Sequence, residues 1–126
     1  MKNLISIDIY SDTICPWCYI GQSKLQSAIE KCKEQKFSIL WRPFQLNPDL
    51  PIMGIDRNLY LVNKFGSKEQ ASRSYAYINK AGLESGIHFQ FDKIIKTPNS
   101  FASHKLLAIA NKFKKQNQII ESLFYA

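Results

Sequence analysis

The stretch LISIDIYSDTICPWCYIG, residues 4–21, changes the period of its apolar residues partway along. Ile5, Ile7 and Ile9 alternate with Leu4, Ser6, Asp8 and Tyr10, and β-branched residues at period two predict a strand over residues 4–10. Beyond the cysteines the spacing becomes helical. Cys18, Gly21, Leu25, Ala28, Ile29 and Cys32 make the apolar stripe of a helix. Next, FSILWRPFQL at residues 37–46 predicts a second strand, with Pro43 suited to a sheet edge. Strand, helix and strand in succession form a βαβ unit, whose crossover makes the two strands parallel.

The cysteine pair stands where the period changes. Proline suits the first helical position, so Pro16 puts Cys15 at the helix N-terminus, where unpaired N–H groups and the macrodipole favour an anion. Cys-x-x-Cys thiols so placed have pKa values lowered from about 8.5 to about 3.5–7.5. Cys15 is therefore expected to be the exposed nucleophile, and Cys18, one turn on, the buried resolving thiol. The chemistry open to such a pair is thiol–disulfide exchange through a mixed disulfide on Cys15, closed by Cys18. Pro16 and Trp17, between the cysteines, are expected to face substrate, although Trp17 equally suits packing against a loop. Asp8 is a candidate buried proton acceptor for Cys18, with a solvent-facing edge position as the alternative.

The third cysteine offers no bridge. Cys32 lies 14 residues after Cys18, about 21 Å along a helix, whereas a disulfide needs Cα atoms within about 7 Å. It is expected to be a small buried apolar residue. Zinc would need four ligands where the pair supplies two. No second Cys-x-x-Cys exists, and His88 and His104 stand 16 residues apart, so no metal is expected.

The 126 residues suffice for one domain with a core, at 45% apolar and 21% charged. No apolar run approaches the ~20 residues of a membrane span. Asp8 and Asp12 interrupt any signal-peptide core, and the expectation is a cytoplasmic chain without a membrane partner. Seventeen basic against ten acidic residues give +7. The basic residues are dispersed, the densest cluster being NKFKKQNQ at 111–118, which reads as a solvated helix face and not as a nucleic-acid surface. In a reducing compartment three cysteines make no disulfide framework, and a Cys-x-x-Cys pair is catalytic or metal-binding.

Downstream, Asp56 is placed to cap a helix over residues 57–65 that ends at Gly66. Ser67 and Gln70 fit a capping box opening a helix to about Ser85. A further helix starts at Asn99 or Ser100, with Ala102, Leu106, Ile109, Ala110 and Phe113 expected on its inner face, and a last one begins near Gln118. The apolar pattern of the final residues, Leu123 to Ala126, runs on without a cap signal.

Three stretches together, SDTICPWCYIG, then WRPFQLNPDLP, then PNSFASHKLLAIA, resemble the DsbA-like thioredoxin-fold superfamily. Within it the chain is most similar to the FrnE-like dithiol–disulfide isomerases, relatives of 2-hydroxychromene-2-carboxylate isomerases and kappa-class glutathione transferases. The resemblance implies an α/β fold: a thioredoxin-like βαβ half over residues 1–50, then an all-helical insertion over 51–126. It implies that Cys15 and Cys18 are the redox pair, and that Asn99 lies in a segment lining the substrate or glutathione region. It implies no resident cofactor, with glutathione only as a co-substrate, and protein or small-molecule thiols and disulfides as partners. The second thioredoxin half, with its cis-proline loop, is missing from the pattern, because none of Pro16, Pro43, Pro48, Pro51 or Pro98 precedes a late strand. The expectation is thus a shortened version of a protein of roughly 200 residues, whose unpaired apolar strand edge offers a surface for a dimer. Two other functions compete with dithiol chemistry: a glutathione-dependent isomerase or transferase, whose relatives carry Ser where Cys15 stands, and a non-catalytic interaction module.

Overall fold

The computed structural model describes residues 3–126. In chain order it contains β1 (Leu4–Ser11), α1 (Pro16–Lys31), β2 (Lys36–Pro43), β3 (Ile55–Asp56), α2 (Arg57–Phe65), α3 (Lys68–Glu84), a single 3₁₀ turn (Phe91–Lys93), β4 (Lys96–Thr97), α4 (Phe101–Lys112) and α5 (Gln116–Tyr125). The chain divides into two compact units: the chain up to Leu46 joined by Ser100–Ala126, and Asn47–Asn99. This grouping differs from a division near residue 50, because α4 and α5 return to the βαβ core.

In the first unit β1 and β2 pair in parallel, Ile5 opposite Phe37, Ile7 opposite Ile39 and Ile9 opposite Trp41. Side chains alternate along a strand, so these residues share one face. Ile9 and Ile39 pack there against Trp41, Leu107 and Ile120, with Ile119, Leu123 and Phe124 around them. Phe124 stacks on Tyr19 of α1 at 5.1 Å and meets the Trp41 ring edge-on at 6.4 Å. Leu123 and Phe124 of the apolar ending therefore pack on the core, while Tyr125 and Ala126 are exposed.

Gln116, at the start of α5, does for β2 what a neighbouring strand would do. Its amide oxygen accepts the Trp41 N–H at 2.9 Å, and its amide nitrogen donates to the carbonyls of Trp41 (3.1 Å) and Leu107 (2.9 Å). A buried backbone edge left unpaired is costly, and this one side chain satisfies both groups of Trp41.

The inner face expected for α4 is only partly the buried one. Ala110 is buried, but its companions are His104 and Leu107, while Leu106, Ile109 and Phe113 are exposed. Apolar residues occupy two sides of this helix. Leu107 has Trp41 and Ile120 to pack on, and His104 has buried hydrogen-bond partners, so their side turns inward.

The second unit begins its helices as their caps dictate. The Asp56 carboxylate accepts the Leu59 N–H at 3.0 Å, Gly66 ends α2 in the left-handed conformation, and Ser67 Oγ accepts the Gln70 N–H at 3.2 Å. Tyr60, Ala71, Ile78 and Ile87 are its buried apolar residues. The Arg57 guanidinium lies over the rings of Tyr75 (5.0 Å) and Tyr60 (5.4 Å) and donates to Thr97 Oγ1 at 3.1 Å. The unit is not wholly helical: β3 and β4 form a two-residue antiparallel ladder. Isolated dipeptides with no periodicity of their own carry no strand signal, which is why the sequence leaves them as loop.

Gly54 precedes that ladder at φ 74°, where a Cβ would sit 2.6 Å from the Thr97 carbonyl oxygen. Gly54→Ala should therefore cost about 2–3 kcal/mol, combining the left-handed penalty with overpacking. Urea unfolding checks it; a loss under about 0.5 kcal/mol would show that the turn relaxes freely.

Candidate active site

Cys15 is the N-cap of α1, with φ −93° and ψ 115°, and Pro16 is the first helical residue. A turn leads into it, with the Cys15 N–H donating to the Asp12 carbonyl at 3.2 Å, and the Cys15 carbonyl accepts the Tyr19 N–H at 3.2 Å. No side-chain oxygen caps this helix and its first turn holds no acidic residue. The positive end of α1 is thus not neutralised by a carboxylate of its own, and it acts on whatever sits at the cap, here a sulfur.

Cys18 follows one turn later, half-buried. Its thiol is pushed well above the ordinary thiol range, first by its hydrogen bond to Cys15 and then by burial; the Asp12 main-chain hydrogen bond pulls the other way, and negative charge on Cys15 and on Asp12 adds smaller upward pushes. Both cysteines are in the dithiol form. Both cysteines are half-buried, so the expected contrast between an exposed Cys15 and a buried Cys18 is not seen; they differ in place, one at the helix end and one a turn on with its thiol pushed up.

Asp12, three residues before Cys15, is 1% exposed. Its Oδ2 accepts the Leu46 N–H at 2.8 Å, and its Oδ1 lies 3.2 Å from Nε2 of His104. The same Nε2 is 3.0 Å from the Phe44 carbonyl. A carbonyl only accepts, so Nε2 carries the hydrogen and donates. Thr13 Oγ1 meets Ser103 Oγ at 2.6 Å, and Ser103 in turn donates to the Ser100 carbonyl at 2.6 Å. The first turn of α4 is thereby fastened to the segment that carries the cysteines.

Cys15, Pro16, Trp17 and Cys18 come together as neighbours on one turn, and Trp17 is exposed. Asn99 belongs to the second unit, where its amide donates to the Leu50 carbonyl at 2.7 Å. Asp8 is not a buried proton acceptor: it is exposed and pairs with Arg42 at 2.7 Å on the outer face of the β1–β2 ladder. Period-two alternation already put Asp8 opposite Ile7 and Ile9, on the wet side. Cys32 is exposed at the C-cap of α1 instead of buried, since the helix and its apolar stripe end there. The buried acid is Asp12, which the sequence offered only as an acidic residue three before Cys15, just past the strand. His104 carried no signal at all. Among the described residues no group of three His, Cys, Asp or Glu is placed to hold a metal, and no helix is long and apolar enough to cross a membrane.

The sequence matches the family described as DSBA-like thioredoxin domain over residues 6–126. The chain belongs to the DsbA-like thioredoxin family. Its fold is similar to that of a probable DsbA oxidoreductase from Streptomyces coelicolor, with a TM-score of 0.83 and 22% identity over 95% of this chain and 52% of that one. A stretch of 44 residues, 35% of the chain, is 36% identical to the uncharacterized protein YwbO of Bacillus subtilis (strain 168), covering 20% of that protein. This DsbA-like chain thus spans about half the length of the solved structure it matches. In it the cysteine pair occupies the strand-to-helix junction of the βαβ half.

Proposed function

We propose that this protein is a thiol–disulfide oxidoreductase of the FrnE-like dithiol group, with Cys15 as nucleophile, Cys18 as resolving thiol, and Pro16 and Trp17 as part of the surface met by substrate. The observation that carries the reading is the unequal pair at the start of α1: one sulfur at a helix N-terminus uncapped by any side chain, the other one turn along, its thiol pushed up by its hydrogen bond to Cys15. When one proton leaves the pair, Cys18 keeps the other and its S–H donates to the Cys15 thiolate. Cys15 then attacks a substrate disulfide, forming a Cys15–substrate bond as one substrate thiolate leaves. Cys18 attacks the Cys15 sulfur, the Cys15–Cys18 bond forms and the second substrate thiolate leaves. The dithiol is oxidised by two electrons and the substrate disulfide reduced; the reverse order oxidises substrate dithiols. A glutathione-dependent isomerase has no use for the second thiol, and the hydrogen bond between Cys18 and Cys15 favours the dithiol reading. Substrates are protein or small-molecule disulfides, in the cytoplasm.

In a Cys18→Ser variant exposed to cell extract, mixed disulfides should accumulate through Cys15 and disappear on adding dithiothreitol. The unsubstituted protein should cycle reversibly between dithiol and a Cys15–Cys18 disulfide, read as a loss of two mass units. A variant that traps nothing while the unsubstituted protein still reduces insulin would overturn the assignment of roles.

A further inference from the structure

α4 carries two apolar sides, and only one of them is buried. Leu107 and Ala110 turn to the core with His104. On the opposite side Ala102, Leu106, Ile109 and Phe113 recur at intervals of four, three and four residues, and all of them are exposed. At 3.6 residues per turn these positions fall within roughly 60° of one another, along about 16 Å of helix. Single exposed apolar residues are ordinary, whereas a contiguous line of them marks an interaction surface.

The charge beside this stripe has one sign. Lys105 and Lys112 flank it on the same side, and no acidic residue occurs between Asp92 and Glu121. The Lys105 ammonium rests over the Phe101 ring at 5.7 Å. Among the described residues neither lysine is in an ion pair with a carboxylate. Alternating steps of four and three are those of the a and d seam between two packed helices, and in that register Lys105 and Lys112 both take the g position, whose side chains meet the partner. A helix that lies on a membrane needs a broad apolar face, and this stripe has only the width of a seam. A second copy of the chain is poorly matched: packed antiparallel, lysine meets lysine, and packed parallel, Lys105 faces Ala110 and gains no carboxylate. We propose that the outward side of α4 is a docking seam for an acidic amphipathic helix of a partner protein. Leu106, Ile109 and Phe113 receive its apolar stripe, and Lys105 and Lys112 pair with its carboxylates.

The probe is a fluorescein-labelled synthetic peptide of three heptads with Leu at a and d and Glu at e and g, titrated with the whole chain and read by fluorescence anisotropy. One comparison peptide carries Lys at e and g; another has the Glu peptide's residues in scrambled order. The Glu peptide should bind at least about tenfold more tightly than either, because it alone matches both the seam and the charge. Reversing the charge with Lys105→Glu and Lys112→Glu together should make the Lys peptide the tighter of the two. Ile109→Glu should weaken the Glu peptide about 30-fold, since it sets a carboxylate where an apolar side chain would be covered. Ile52→Glu, at an apolar side chain exposed elsewhere, should leave binding within about twofold of the parent. Far-UV circular dichroism checks that the α4 variants keep the parent's helix, as substitutions at exposed positions should. The proposal fails if the Glu and scrambled peptides bind alike, if Ile109→Glu binds like the parent, or if the double charge reversal leaves the preference unchanged. Binding to phosphatidylserine vesicles without binding to the peptide overturns it in favour of a membrane surface. A dimer seen by sedimentation and lost in Ile109→Glu, again without peptide binding, overturns it in favour of a second copy.

Discussion

Replacing Cys15 with serine is expected to bring disulfide exchange down to the uncatalysed rate while leaving the fold intact. Serine keeps the size and the cap position but cannot form an S–S bond, so no mixed disulfide exists for Cys18 to resolve. The substitution costs little stability: Cys15 makes no side-chain cap interaction with the helix, and Ser is itself a preferred N-cap residue. Insulin reduction and far-UV circular dichroism measured on the same preparation separate chemistry from folding. Iodoacetamide labelling of the unsubstituted protein adds the charge argument, because alkylation needs thiolate. Cys15 should label rapidly below pH 7 and Cys18 should not, given that hydrogen bonding to Cys15 and burial both hold the Cys18 thiol protonated. A Cys15→Ser protein that still reduces insulin would move the nucleophile elsewhere in the chain.

The largest structural loss is expected at Trp41. It is 6% exposed, sits with Leu107 and Ile120 at the centre of the first unit, meets the Phe124 ring, and donates its indole N–H to Asn117 Oδ1 at 3.0 Å. Trp41→Ala leaves a cavity among residues from β2, α4 and α5 at once and strands the Asn117 acceptor. The expected cost is about 3–5 kcal/mol, the range for removing a buried Trp or Phe. Folding stabilities total about 5–15 kcal/mol, so much of the reserve goes with this one side chain. Trp41→Phe keeps most of the volume and should cost about 1–2 kcal/mol. Urea midpoints for the three proteins give the comparison. Near-equal midpoints for Trp41→Ala and the parent would mean that α4 and α5 are not anchored through this residue.

The two expectations are linked through the same packing. Gln116 holds both backbone groups of Trp41 and the Leu107 carbonyl, and Leu107 lies one turn along α4 from His104. Packing in the core of the first unit thus sets where the His104 ring stands, and the ring sets the Asp12 carboxylate.

Local chemistry was legible in the chain wherever a residue and its partner are close in sequence. The alternation of Ile5, Ile7 and Ile9 gave the strand and its inner face; Pro16 placed Cys15 at a helix start; Asp56, Gly66 and Ser67 announced the ends they cap. Each rests on backbone sterics or on a hydrogen bond spanning three or four residues, so a short window contains both partners. The βαβ pairing is legible for a related reason, since a crossover that long allows only a parallel return.

What the window hid is every role whose partner lies far along the chain. Asp12 meets His104 across 92 positions and Leu46 across 34; Trp41 meets Gln116 across 75. Nothing in the type or spacing of those residues separates them from surface polar groups such as Asp8, which resembles Asp12 in composition and ends in solvent beside Arg42. Burial chose between the two acids, between the two apolar sides of α4, and against Cys32. A buried polar group is stable only where its hydrogen bonds are met, and that condition is satisfied by chain segments brought together after the elements have formed.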